Sequence, residues 1–123
     1  MFEVSVERTF AAGHALRNYK GKCENVHGHN YRVQITVEGP ELDSNGLLID
    51  FVELKRLTME VIDYLDHRFI NDLPPFDAIN PSAENLAKYF YDRVSAGMRP
   101  GALAQIAEVR IWETDTSVAA YRP

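Results

Sequence analysis

His27-Gly28-His29-Asn30-Tyr31-Arg32-Val33-Gln34-Ile35-Thr36-Val37-Glu38 decides the fold. From Tyr31 onward an apolar set, Tyr31, Val33, Ile35 and Val37, alternates with a polar set, Arg32, Gln34, Thr36 and Glu38. Side chains that change side at every residue belong to a strand with one buried face. His27-Gly28-His29 opens directly onto that strand. In extended backbone, residues two apart project the same way, so both imidazoles reach toward one ion. Gly28 places no side chain on the opposite face and permits close backbone approach there.

Upstream, Phe2, Val4 and Val6 alternate with Glu3, Ser5 and Glu7, giving a first strand over residues 2–10. Residues 15–26 lose periodicity and carry Asn18, Lys20, Gly21 and Lys22, as a loop does. If the two strands pair antiparallel through that loop, His14, at the end of the first, returns beside His27 and His29. Three imidazoles suit Zn²⁺ and leave a fourth position for water or substrate, the arrangement of a catalytic zinc.

Downstream, Gly39-Pro40 ends the second strand, and Pro40–Gly46 is a polar turn region. Asp50 is placed to cap a helix over residues 51–65, with Glu53 at capping-box spacing and Phe51, Leu54, Leu57, Val61, Ile62 and Leu65 on one face. Pro74, Pro75 and Pro81 rule out a continuous helix over Asn71–Pro81 and indicate an ordered loop between two helices. Ser82 then caps a second helix whose apolar face is Ala83, Leu86, Ala87, Phe90 and Val94, with Gly97 at its end. Val109 and Ile111 alternate with Arg110 and Trp112, and a further extended segment covers about 117–121 after Thr114-Asp115-Thr116. The order ββααββ predicts an α+β domain, a four-stranded, mainly antiparallel sheet with two helices on one face. The other face meets water or copies of the chain.

At 123 residues the chain fits one domain, residues 1–123, and 46% apolar with 25% charged residues is ordinary for a globular protein. No stretch approaches the roughly 20 apolar residues of a membrane span. Met1–Phe10 has no basic leader before an apolar run, which predicts a cytoplasmic protein. A net charge of -5 disfavours nucleic acid as partner. Arg8, Arg17, Lys20 and Lys22 near the histidines suit an anionic small molecule, or are ordinary solvated charges.

Cys23 is the only cysteine, so no intrachain disulfide forms. Four residues before His27, it is either the fourth ligand of a closed structural site or a thiolate whose pKa falls beside a cation and which moves a proton. Asp66-His67, at the end of the first helix, either fixes one imidazole tautomer and tunes that thiol or is a common surface pair.

Phe10-Ala11-Ala12-Gly13-His14, the Cys23–Tyr31 stretch, Asp66-His67, Asn80-Pro81-Ser82-Ala83-Glu84-Asn85 and Trp112-Glu113-Thr114 together resemble the 6-pyruvoyltetrahydropterin synthase / 6-carboxytetrahydropterin synthase family. Three residues separate Cys23 from His27, which looks like the bacterial 6-carboxytetrahydropterin synthases of the queuosine pathway. The resemblance implies a tunnelling fold, in which sheets of three subunits close a barrel and two trimers stack as a homohexamer with sites at subunit interfaces. It implies a zinc enzyme, with His14, His27 and His29 as ligands and Cys23, Asp66 and His67 as proton-moving residues. The implied substrate is 7,8-dihydroneopterin triphosphate, converted to 6-carboxy-5,6,7,8-tetrahydropterin with loss of acetaldehyde and triphosphate. Glu113 matches the family's pterin-anchoring glutamate, and a carboxylate accepts two hydrogen bonds from an amino group and a ring N–H. Glu84 belongs to the helix-start motif that supports the pterin pocket, in which Ser82 stands where Thr is usual. Glu24, beside Cys23, resembles the glutamate of relatives that make 6-hydroxymethyl-dihydropterin for folate. That activity is the nearest alternative, ahead of a pyruvoyl product. A zinc-stabilised binding or assembly domain is the non-enzymatic one.

Overall fold

The computed structural model describes residues 1–18, 21 and 24–123, so Lys20, Lys22 and Cys23 lie outside the described residues. The elements are β1 (Phe2–His14), β2 (His27–Gly39), α1 (Phe51–Leu65), α2 (Ala83–Gly97), β3 (Gln105–Thr114) and β4 (Ser117–Tyr121), with a 3-10 turn at Ile70–Asp72. The sheet is antiparallel throughout in the order β1-β2-β3-β4. The predicted ββααββ order and four-stranded sheet are those observed.

β1 is longer than its clearest alternation. It runs on through Phe10, Ala12 and His14, which are buried while Ala11 and Gly13 are less so. Tyr31, Val33, Ile35 and Val37 of β2 are fully buried, and Val109 and Ile111 of β3 continue the same apolar face. A register shift near Thr36 and Val37 keeps Ile106 on that face as well.

Both helices lay their apolar stripes on this face. Asp50 accepts a hydrogen bond from the Val52 amide, and Ser82 Oγ accepts one from Asn85, so both predicted caps form. Two details differ. Glu53 pairs with Arg56 instead of reaching back to close a capping box. Phe51, assigned to the apolar stripe, is 50% exposed because the first turn of α1 overhangs the core. Along α2 the buried set is Ala83, Leu86, Ala87, Phe90 and Val94, as the pattern predicted. Gly97 ends α2 where the helices approach closely: a Cβ there would stand 2.6 Å from Leu57 Cδ2.

Phe90 rests on Phe10, which stacks on Tyr31 at 4.9 Å, so one aromatic column ties α2 to the strands that carry the histidines. Phe90→Ala should therefore cost about 3–5 kcal/mol by urea unfolding, against about 1 kcal/mol for loss of the cap in Asp50→Ala. Equal costs would show that the column does not hold the helix layer.

Candidate metal centre

The hairpin register assembles the centre. β1 and β2 pair with His14 opposite His27 and Ala12 opposite His29, and all three imidazoles lie on the helix-covered face at the open end of the sheet. Ring centroids are 4.5 Å apart for His14 and His27, 5.1 Å for His14 and His29, and 4.9 Å for His27 and His29. One nitrogen from each lies within 4.8 Å of the others, a grouping that could hold a metal ion.

Main-chain carbonyls orient two of the rings. His14 Nδ1 lies 2.7 Å from the Pro81 carbonyl, and His27 Nδ1 lies 2.7 Å from that of Asn25. A carbonyl only accepts, so each Nδ1 carries the proton and each Nε2 keeps a lone pair. His14 Nε2 and His29 Nε2 are buried with no hydrogen-bond partner among the described residues. Leaving such an atom unpaired costs about 1–3 kcal/mol. A cation shared between the nitrogens removes that penalty, and an all-imidazole donor set suits zinc, so these residues fit the group that the resemblance implies.

Burial pushes the pKa of both His14 and His29 below the ordinary histidine value, against an opposing pull from Glu113. The two rings are thus held neutral, the form that binds metal. Glu113 follows Trp112, which pairs with Arg32, so its side chain falls on the face of Tyr31 and the histidines. Its Oε1 is 3.3 Å from His14 Nε2 and 3.9 Å from His29 Nε2. With both rings neutral these contacts are not ion pairs; they bring a carboxylate to the rim of the centre.

Asp66 and His67 sit apart from the three imidazoles, at the end of α1. After α1 the chain turns along the free edge of that strand: Ala11 N–H donates to Asp66 Oδ1 (2.9 Å), His67 N–H to the Ala11 carbonyl (2.6 Å) and Gly13 N–H to the Arg68 carbonyl (3.0 Å). The Ala11 amide, and then His67, hold the Asp66 carboxyl below the usual carboxylate range. Asp66 Oδ2 is 3.0 Å from His67 Nδ1, which fixes the tautomer. His67 has φ +58°, a conformation unfavourable for a residue with a Cβ, and is 80% exposed. It lines a 490 Å³ depression together with His29, Gly28 and Asn30.

The remaining candidates are dispersed. Glu84 is exposed on the first turn of α2, near the metal centre only in that Pro81 precedes that helix. Arg17 is not a free cation for a substrate, because its guanidinium donates to the carbonyls of Asn71, Phe76 and Ile79. Tyr31, read from sequence as plain core, proves to bear a buried hydroxyl with no hydrogen-bond partner among the described residues, and its ring stands 5.4 Å from that of His29. Its place two residues after His29, on the same strand face, was the available signal.

In the unfolded chain the histidines titrate near the ordinary 6.5, whereas the fold holds His14 and His29 neutral to lower pH. The unfolded state therefore binds more protons below that value, and stability present above it is lost as pH falls. Metal-free protein should show a lower urea midpoint at about pH 5.5 than at about pH 7.5, and His14→Leu should flatten the difference. A midpoint independent of pH would contradict this account of the buried rings.

The family of 6-pyruvoyl tetrahydropterin synthase matches residues 3–123. A Bacillus subtilis 6-carboxy-5,6,7,8-tetrahydropterin synthase is 37% identical over 132 residues, covering 99% of this chain and 86% of its own. The protein of that name from Haemophilus influenzae is 31% identical over 147 residues and 99% of both chains. Human 6-pyruvoyl tetrahydrobiopterin synthase is 33% identical over 134 residues, with 98% and 90% covered. The structure of Caenorhabditis elegans 6-pyruvoyl tetrahydropterin synthase superposes with a TM-score of 0.85 at 29% identity, over 100% of this chain and 97% of that one. With the histidine cluster, the sheet order and full-length similarity in agreement, the chain belongs to the 6-pyruvoyl tetrahydropterin synthase family of enzymes.

Proposed function

We propose that the protein is a zinc-dependent carbon–carbon lyase that converts 7,8-dihydroneopterin triphosphate to 6-carboxy-5,6,7,8-tetrahydropterin, releasing acetaldehyde and triphosphate, for queuosine biosynthesis in the cytoplasm. The observation that carries the reading is the meeting of three imidazoles, two with buried Nε2 atoms that have no hydrogen-bond partner among the described residues, and the Glu113 carboxylate at one end of the sheet. The carboxy product is favoured over the pyruvoyl one by the bacterial relatives of that name and by the three-residue gap between Cys23 and His27.

His14, His27 and His29 would hold the zinc, which would supply positive charge against negative charge developing on substrate oxygen. Glu113 accepts hydrogen bonds from the pterin amino group and ring N–H, setting the reacting side chain toward the histidines. Glu84, at the start of α2, supports the pterin pocket. Cys23 takes a proton from the substrate side chain as its thiolate. His67 keeps an Nε2 lone pair for that proton because its Nδ1 is turned to Asp66. The exposure of His67 is consistent with a site completed by another copy in a homohexamer of single-domain subunits.

Incubating zinc-loaded protein with 7,8-dihydroneopterin triphosphate and weighing the products tests this directly. The carboxy product with acetaldehyde is expected. A 6-hydroxymethyl product would assign the folate-directed alternative to Glu24, a pyruvoyl product the third reading, and no conversion would overturn all three. Cys23→Ala should keep metal while losing about 10²–10⁴-fold in turnover; loss of metal instead would mark Cys23 as a structural ligand. Glu113→Gln should lower kcat/KM by about 10–100-fold through one weakened charge-assisted pair, and full activity would remove it from the pterin site.

A further inference from the structure

Beyond His14 the β1 backbone runs out of strand partners, since His14 opposite His27 is the last pair of the hairpin. Two asparagine side chains take over. Ala15 N–H donates to Asn71 Oδ1 (2.9 Å) and Asn71 Nδ2 donates to the Ala15 carbonyl (2.8 Å). Two residues on, Arg17 N–H donates to Asn80 Oδ1 (2.8 Å) and Asn80 Nδ2 donates to the Arg17 carbonyl (3.0 Å). A carboxamide offers one acceptor and one donor side by side, as a neighbouring strand does, so these pairs extend the ladder past the metal ligand.

Asn80 does more than its counterpart. Its own carbonyl accepts from Asn85 Nδ2 at 2.9 Å, which ties it to the first turn of α2. The carbonyl of the next residue, Pro81, receives His14 Nδ1. Asn80 is therefore gripped on one side by the segment that follows His14 and on the other by α2, and the carbonyl that sets the His14 tautomer lies one peptide away. Releasing that grip lets Pro81 shift and frees the ring to turn or to protonate Nε2 instead.

We infer that Asn80 is a positioning residue for the metal centre, acting through Pro81 to hold His14 Nε2 toward the ion and fastening the start of α2 to the same point. The inference rests on the reading of His14, His27 and His29 as metal ligands and needs nothing about the pterin product.

The test measures metal binding by the folded full chain. Asn80→Ala removes both side-chain bonds, Asn80→Asp keeps the acceptor but loses the donor, and Asn85→Ala frees only the Asn80 carbonyl. Zn²⁺ affinity is read by competition with a chromophoric chelator, and Co²⁺ substitution gives a ligand-field spectrum sensitive to geometry. Loss of the oriented Pro81 carbonyl that receives His14 Nδ1 should weaken Zn²⁺ binding by about 10–100-fold in Asn80→Ala, with a smaller loss in the other two and an altered Co²⁺ spectrum in all three. A merely structural role would lower the urea midpoint and leave the Co²⁺ spectrum of the folded protein unchanged. If Asn80→Ala does not fold, the other two variants decide. Wild-type affinity and spectrum in the folded variants would overturn the inference. Weakened metal binding beside a wild-type protein that converts no pterin would uphold it while removing the proposed activity.

Discussion

The pairing of His14 with His27 across the first hairpin is the constraint from which the rest of the molecule follows. Strand side chains alternate, so a one-residue slip would turn every β2 side chain to the other face. The register that sends Tyr31, Val33, Ile35 and Val37 into the core is the register that sends His27 and His29 toward His14. Core and metal centre are consecutive stretches of one strand face. The hydrophobic effect that fixes the first fixes the second, and the imidazoles need no separate scaffold.

That economy has an electrostatic consequence. Continuing a buried face into a polar site leaves His14 only 1% exposed and two Nε2 atoms without partners among the described residues, a cost that a bound cation would offset. The same burial keeps His14 and His29 deprotonated, as ligands must be. Glu113 is held by a different strand, yet the β2–β3 register delivers it to the same end, with its Oε1 3.3 Å from His14 Nε2.

Much of this was legible in the chain. The alternation after Tyr31, the stripe of Leu86, Phe90 and Val94, and the caps Asp50 and Ser82 are local signals with one structural meaning each, and all formed as read. The triad was legible because i, i+2 spacing is local and antiparallel pairing through the 15–26 loop returns His14 beside His27. What escaped depends on contacts between distant segments. Arg17 read as a candidate anion-binding charge, but the 70–81 loop folds over it and accepts three of its guanidinium hydrogen bonds. Asn71 and Asn80 read as loop residues, since nothing local says that their amides will stand in for a strand. Glu53 at capping-box spacing met Arg56 three residues on, and the nearer partner took the carboxylate.

The edge of β1 limits where another strand could pair with this sheet. From Ala11 to Gly13 that edge is already covered by the chain from Asp66 to Phe69, through three backbone-directed bonds and a parallel bridge at Phe69. From Phe2 to Phe10 the same edge has no strand beside it in the sheet order, and β4 is open at the opposite side. An open edge recruits another strand unless something blocks it. A second copy paired along Phe2–Phe10 would stop where Asp66 begins, because Ala11 has no backbone group left to offer. The segment carrying the Asp66–His67 pair would then both end the subunit seam and stand at its margin, with the exposed face of His67 turned to whatever the neighbouring copy brings.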